Sequence, residues 1–233
     1  MSNALPGGPP RFAITRSAAP VRTQVESLLR QAILTGHFHP GDRLIERELR
    51  ELLGVSRTSL REALRRMEGH GLVVNIPQKG LVVATMTPEE AEEIYQVRAT
   101  IEGLAGQLFA ERASSEQQAA LQAALAAVDG AQRADVLPAF VATKDHFYAV
   151  LFAGAGNGAL TAIAASLRDR TAWLRSRTLA HPGRAAQSVA EMRCILDAVL
   201  ARDGAGAAAA CREHVHAAAV IAAQALHLWQ ASA

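Results

Sequence analysis

Aromatic residues and cysteines are scarce in this sequence. Aromatic side chains make up 4% of the 233 residues, although half of all residues are hydrophobic. Alanine and leucine dominate that half, which favours helices packed on helices over sheet sandwiches. Cys194 and Cys211 are the only cysteines. Because both lie in helical patterns, we expect two buried free thiols in a reducing compartment.

Long apolar runs are also missing. No run approaches the roughly 18 apolar residues of a membrane-spanning helix, and the N-terminus lacks the apolar segment of a signal peptide. The proline and glycine content of residues 1–19 predicts a disordered arm instead. We therefore expect a soluble, cytoplasmic protein with no membrane partner, long enough for two modest domains.

A strong charge of either sign is absent, since the formal net charge is +2. The charge is distributed unevenly, however. Residues 21–84 carry ten Lys/Arg against seven Asp/Glu, a net charge of +3, whereas residues 85–233 carry twelve against fifteen, a net charge of −3. A partner of negative charge would therefore meet the N-terminal part of the chain.

The segment GVSRTSLREALRRMEGHG, from Gly54 to Gly71, predicts a tight turn and a short helix that Ser56 or Thr58 can cap. Spacing of i, i+3, i+4 and i+7 predicts its buried face, formed by Leu60, Ala63, Leu64 and Met67. The outward face is then basic and polar, formed by Arg57, Ser59, Arg61, Arg65 and Arg66. Such a helix suits a phosphate backbone and base edges. A solvated basic surface helix is the alternative.

The surrounding residues complete a larger unit. An apolar stripe predicts a first helix from Val21 that ends at Gly36, and residues 44–53 predict a second, which Gly54 stops. After the basic helix, two β-branched runs at residues 72–76 and 81–84 flank the sequence PQKG, which indicates a hairpin with Gly80 at positive φ. Residues 20–85 therefore predict a winged helix-turn-helix.

This unit resembles the GntR family of bacterial transcription regulators, through HPGDRLIERELRELLGVSRTSLREALRRMEGHGLV and the wing PQKGLVV. Arg47, Ser56, Arg57 and Arg61 match positions that contact DNA in the family, and the wing residues match its groove or backbone contact. Arg50 departs from the small residue usual there. With the hydroxyls at the helix start, the candidate DNA-binding residues are Arg47, Ser56, Arg57, Thr58, Ser59, Arg61, Gln78, Lys79 and Gly80.

The second half shows no strand periodicity. Thr87, Pro88 and Glu90 predict a capping box at a helix start. Helical segments follow at residues 88–113, 115–128, 136–153, 159–179, 185–202 and 207–229. The fold class is therefore mainly α, with an all-helical bundle of six or seven helices over residues 86–233.

The bundle resembles the FCD ligand-binding domain of the FadR branch of that family. The resemblance is carried by IYQVRATIEGLAGQLFAERA, KDHFYAVLFAGAGN, RDRTAWLRSRTL and AEMRCILDAVLARDGAGAAAACREHV. It implies that this domain binds an effector and forms a homodimer. Most FCD domains hold a divalent metal through an Asp and a His four residues apart and two later histidines. Lys144, Tyr148 and Met192 occupy three of these positions, and only His214 matches.

One imidazole beside an ammonium, a phenol and a thioether suits neither a hard cation nor zinc, so we expect no metal cofactor. Lys144 can instead supply positive charge to a carboxylate directly, with Tyr148 and His214 as donors. Arg98 matches an arginine that faces the pocket in the family. The candidate effector-binding residues are Arg98, Lys144, Tyr148, Arg175, Met192, Arg193 and His214. Alternatively, Lys144 faces solvent and His214 is a core histidine.

Together these features predict a homodimeric regulator, more often a repressor, that binds a pseudo-palindromic operator in double-stranded DNA. A small carboxylate effector would oppose operator binding through the bundle. No spacing in the helical half suggests a nucleophile, base or metal cluster, so an enzyme is not expected. A dimeric DNA-binding protein without an effector and a metal-dependent sensor are the alternatives.

Overall fold

A computed structural model describes residues 20–232, and the arm predicted for residues 1–19 lies outside them. The chain divides between Thr85 and Met86 into two compact units. The described residues are helical apart from one two-stranded sheet, which confirms the mainly α fold class. No helix within residues 20–232 is long and apolar enough to cross a membrane.

The first unit is a three-helix winged helix-turn-helix, as predicted. Its helices are α1 (Val21–Leu34), α2 (Glu46–Leu53) and α3 (Arg57–Gly69), followed by strands β1 (Val73–Ile76) and β2 (Gly80–Val83). The strands pair antiparallel with Val73 opposite Val83 and Ile76 opposite Gly80. A core of aliphatic side chains joins the helices to the sheet, including Val25, Leu29, Leu60, Met67 and Val83.

Helix α2 begins later than its apolar pattern predicts. Arg43 forms a bridge with Val82, and the Leu44 amide donates to the Leu81 carbonyl at 2.8 Å. These two residues therefore extend the sheet, and the helix starts at Glu46. The stop at Gly54 is as predicted, because its left-handed φ of 63° favours a residue without a Cβ atom.

The second unit is an all-α bundle of seven helices. These are α4 (Pro88–Arg112), α5 (Ser115–Arg133), α6 (Leu137–Gly154), α7 (Gly158–Arg170), α8 (Ala172–Leu179), α9 (Arg184–Leu200) and α10 (Gly204–Ser232). The predicted capping box is present, since Thr87 and Glu90 exchange both hydrogen bonds. The single helix expected over residues 159–179 is two helices, because the chain breaks at Thr171, whose hydroxyl donates back to the Leu167 carbonyl.

Helices α4 and α10 approach each other closely through small side chains. A Cβ atom added to Gly106 would lie 2.7 Å from Cys211 Sγ and 3.0 Å from the Ala207 carbonyl oxygen. Cys211 is therefore buried, as predicted. The prediction that both thiols are buried is wrong for Cys194, which is exposed on α9.

Candidate DNA-binding surface and effector cavity

The start of α3 presents exposed polar groups. Ser56 is the N-cap, and its Oγ accepts from the Ser59 amide at 3.1 Å and lies 2.9 Å from the Ser59 hydroxyl. Arg57, Thr58 and Arg61 are exposed on the same helix. The apolar face lies inward as the spacing predicted. This helix end can therefore contact phosphates and base edges.

Glu46 joins the starts of α2 and α3. Arg61 Nε donates to both of its carboxylate oxygens, at 2.9 and 3.0 Å, and Arg57 Nε lies 3.9 Å from Oε2. Glu46 was not among the predicted residues, because fifteen residues separate it from Arg61 and no periodic pattern links them. Both hydrogen bonds use Nε, so the Nη groups of Arg61 are not used in this pair.

The other candidate DNA contacts lie in the same unit. Arg47 is exposed in the first turn of α2. At the wing tip, the Lys79 amide donates to the Ile76 carbonyl at 3.1 Å and closes a tight turn. Gln78 and Gly80 both have positive φ there, and the side chains of Gln78 and Lys79 are exposed.

In the second unit, a cavity of about 20 Å³ lies among five helices, α4, α6, α8, α9 and α10. That volume holds roughly one water molecule. Five of the seven candidate effector residues line it, namely Arg98, Lys144, Tyr148, Arg175 and His214. Met192 is buried but does not line the cavity, and its Sδ accepts weakly from the Ser188 hydroxyl at 3.9 Å. The structure does not bring Arg193 to the cavity, because its side chain is 57% exposed and faces Asp129 at 3.7 Å.

Lys144 is the central cation of the cavity. It is only 5% exposed, its Nζ donates to the Ser188 hydroxyl, and it lies 3.4 Å from His214 Nε2. Within residues 20–232 it makes no ion pair with a carboxylate. Burial and the nearby cations of Arg184 and Arg175 lower the pKa of Lys144 to about 7. The solvent-face alternative therefore does not describe this side chain.

His214 is held by a carboxylate on its other side, since Nδ1 lies 2.5 Å from Glu191 Oε2. Burial and the Lys144 charge lower the pKa of His214 to about 4, so the imidazole is neutral at pH 7. Although burial raises the pKa of Glu191, the contact with His214 and the charge of the Arg184 guanidinium hold it below its usual value. The Nδ1 proton then points to Glu191, and Nε2 presents its lone pair to Lys144.

Arg184 is a cavity residue that the sequence analysis missed. Its side chain is fully buried, with Nη2 2.8 Å from Glu191 Oε2, yet none of its guanidinium nitrogens makes a hydrogen bond of good geometry to a described residue. The i, i+4 and i+7 positions of one face of α9 are occupied by Arg184, Ser188 and Glu191. This spacing of polar residues on an otherwise apolar helix face is the sequence pattern that could have predicted them. The prediction instead selected Met192 and Arg193.

Paired charges complete the wall of the cavity. Arg98 Nε donates to Glu102, four residues later on α4, at 2.9 Å, and Arg98 lies over the Tyr95 ring at 4.8 Å. Arg175 pairs with Asp145 at 2.8 Å. Burial and then the Glu102 carboxylate raise the pKa of Tyr148, which stays a neutral phenol.

The charges do not balance. Each of the three arginines that line the cavity has one carboxylate partner, in the pairs Arg98–Glu102, Arg175–Asp145 and Arg184–Glu191. The Lys144 ammonium is a further cation among the lining residues. This donor set does not fit a divalent metal, and within residues 20–232 no three His, Cys, Asp or Glu residues are placed to hold one.

Two family models match the chain. The model of the GntR family of bacterial regulatory proteins covers residues 21–83, and the model of the FCD domain covers residues 93–217. The chain belongs to the GntR family. Like its relatives, this GntR protein is a helix-turn-helix transcriptional regulator and not an enzyme.

Relatives match over nearly the whole chain. An uncharacterized HTH-type transcriptional regulator of Mycobacterium tuberculosis, Rv0494, is 33% identical over 218 residues, which cover 86% of this chain and 88% of Rv0494. The Escherichia coli HTH-type transcriptional repressor GlaR is 29% identical, over 80% of this chain and 89% of its own. The solved structure of E. coli McbR/YncC has a TM-score of 0.77 at 24% identity, over 88% of this chain and 98% of that one, which supports the fold.

Proposed function

We propose that this GntR protein is a homodimeric repressor in the bacterial cytoplasm that binds a pseudo-palindromic operator and releases it when a small carboxylate enters the FCD cavity. The N-terminus of α3 would enter the major groove, with Arg47, Arg57 and Arg61 contacting guanines or phosphates. The wing residues Gln78 and Lys79 would contact the neighbouring backbone or groove.

The observation that carries the effector proposal is the unbalanced charge of the cavity. A buried cation without a counter-ion costs several kcal/mol, which the protein avoids by deprotonation or by binding an anion. Lys144 has no carboxylate partner among the described residues, and Arg184 has hydrogen-bond donors to spare. A carboxylate placed between them would satisfy both groups, with Tyr148 and His214 completing the site.

Effector binding requires the cavity to widen, since about 20 Å³ does not hold a metabolite. Part of the wall is formed by α8, a helix of eight residues that contributes Arg175, Thr178 and Leu179. A ligand that binds only a wider arrangement of these helices shifts the population toward it. If the wider arrangement binds the operator less tightly, the effector lowers the affinity for DNA, and DNA lowers the affinity for the effector by the same factor.

The dimer would place two winged units on two half-sites of one operator. An exposed apolar strip on α4, formed by Val97 and Leu104 with the half-buried Ile101 between them, is a surface on which a second copy could pack. The side chains of Val97 and Leu104 are 47% and 41% exposed. Exposed apolar side chains grouped on one helix face mark interaction sites more often than isolated ones do.

The decisive experiment combines a thermal-shift screen of small organic acids with titration of operator DNA from the upstream region of the coding gene. We expect one acid to raise Tm by mass action and to weaken operator binding. Lys144→Met should abolish both effects, whereas Arg193→Ala, a cation outside the cavity on α9, should leave them intact. An effector response that survives Lys144→Met would contradict the proposal.

The small cavity favours a second candidate function. A constitutive dimeric DNA-binding protein needs no room in its bundle, and the described cavity holds roughly one water. Such a protein would bind its operator specifically but respond to no acid in the screen.

A further inference from the structure

Lysine is nearly absent from this arginine-rich chain. Of its 24 basic residues, 22 are arginines and two are lysines, Lys79 and Lys144. Lys79 lies at the exposed wing tip, and Lys144 is buried in the FCD cavity. Arginine stays charged in proteins, whereas a buried lysine can lose its proton and become a nucleophile. The cavity thus contains the type of cation that can form a covalent bond to carbon.

The groups around Lys144 suit that chemistry. His214 Nε2 lies 3.4 Å from Nζ and presents a lone pair, while its Nδ1 is tied to Glu191. Arg184 is fully buried and has unused donors for a carboxylate. The Phe140 ring covers another side of the amine, at 5.9 Å. An amine, a proton acceptor and an anion-binding group therefore face one enclosed space.

We propose that the effector is a small 2-oxo acid that forms a reversible imine with Lys144 while Arg184 binds its carboxylate. This inference rests on the proposed function and specifies its ligand class. The neutral Lys144 amine would attack the carbonyl carbon, and the resulting carbinolamine would lose its hydroxyl as water. His214 and Glu191 would take the ammonium proton and return it to the leaving hydroxyl. One amine and one carbonyl yield one imine and one water, with no oxidation or reduction.

Two further observations agree with this assignment. Burial and the neighbouring arginines bring the pKa of Lys144 to about 7, so a large fraction of the amine is neutral at physiological pH. Because the cavity of about 20 Å³ must widen to admit any ligand, the smallest members of the class require the least widening. Glyoxylate and pyruvate are therefore the appropriate probes.

The test is reductive trapping on the full-length protein. Native protein is incubated with glyoxylate or pyruvate and cyanoborohydride, and the adduct is located by peptide mass spectrometry. We expect the adduct on Lys144 in at least roughly tenfold excess over that on Lys79, because Lys144 is the lysine that lies beside a proton acceptor and an anion-binding group. Lys144→Arg should remove it and Lys79→Arg should not. Glycolate and lactate, which lack the carbonyl, should yield none.

Denatured protein supplies the reference, since both lysines should then react alike. Equal labelling of Lys79 and Lys144 in the native protein would overturn the inference. A 2-oxo acid that raises Tm and releases DNA without an adduct on Lys144 would also overturn it, while the proposed function would stand. An adduct on Lys144 that leaves operator affinity unchanged would support capture of the carbonyl and contradict the regulatory role.

Discussion

Arg61 Nε donates to both carboxylate oxygens of Glu46, at 2.9 and 3.0 Å, and so ties α3 to the first turn of α2. Glu46 lies at the helix N-terminus, where the macrodipole favours a carboxylate. An arginine held in this way loses less side-chain entropy on binding, and its Nη groups remain available to a guanine. In the proposed complex, Glu46 would also place a negative charge close to the DNA, which would penalise contacts of poor geometry.

The first prediction is that Glu46→Gln reduces discrimination between operator and random DNA. Affinity for random duplex should rise, because a negative charge is lost, whereas operator affinity should rise less or fall. The ratio of operator affinity to random-duplex affinity should drop by roughly tenfold. This is in the lower part of the range of discrimination that one well-placed base contact provides. Fluorescence anisotropy at several salt concentrations measures both affinities. Glu48→Gln removes the same charge from the same turn, so equal effects of the two substitutions would argue against a positioning role for Glu46.

The second prediction concerns pH and Lys144. Burial lowers the pKa of Lys144 from 10.5 to about 7, so between those values the unfolded chain binds more protons than the folded chain. Burying Lys144 therefore lowers the free energy of unfolding by its full amount below pH 7. This destabilisation decreases as the pH rises toward 10.5. Lys144→Met should therefore stabilise the protein at pH 7, by on the order of a few kcal/mol.

That gain should shrink as the pH rises. Urea denaturation of both proteins at pH 7 and at pH 9.5 measures it, and the comparison between variants cancels the titration of all other groups. A gain in stability that is the same at both pH values would mean that the charge of buried Lys144 does not destabilise the folded protein.

The third prediction concerns the dimer. Leu104→Glu should convert the protein to a monomer and lower operator affinity, because a charge in an apolar interface is costly to bury. Light scattering coupled to size exclusion measures the mass. Leu200→Glu changes an equally exposed leucine at the end of α9 and should leave the mass unchanged. If Leu104→Glu stays dimeric, the α4 strip is not the interface.

The fourth prediction concerns the packing of α4 on α10. Gly106→Ala would place a Cβ atom 2.7 Å from Cys211 Sγ, and such overpacking costs about 1–3 kcal/mol. Gly130→Ala, in helix α5, meets nothing within 4 Å and should instead stabilise by about 0.5–1 kcal/mol. Thermal melts of both variants test this pair. Loss of stability in Gly130→Ala, or none in Gly106→Ala, would contradict the packing described here.

Local features were predictable wherever the signal spans one turn of helix or one tight turn. Ser56 caps α3 and Gly54 ends α2, because a hydroxyl acceptor and a missing Cβ atom act on neighbouring backbone groups. The hairpin around Pro77 and the capping box of Thr87 follow for the same reason. The errors arise where a more distant contact competes. Leu44 is drawn into the sheet by Leu81, which no local pattern indicates.

The family, the order of the elements and the basic face of α3 were all predictable from the residues alone, because periodicity, caps and motifs act over a few residues. The resemblance also placed Lys144, Tyr148 and His214 at one site. Folding of the whole bundle is what brings Arg184, Ser188 and Glu191 to that site and leaves Arg193 outside it. The physical reason is that the inward face of α9 is set by packing against helices distant in the chain, and that burial there, rather than residue type, determines the charge state of Lys144.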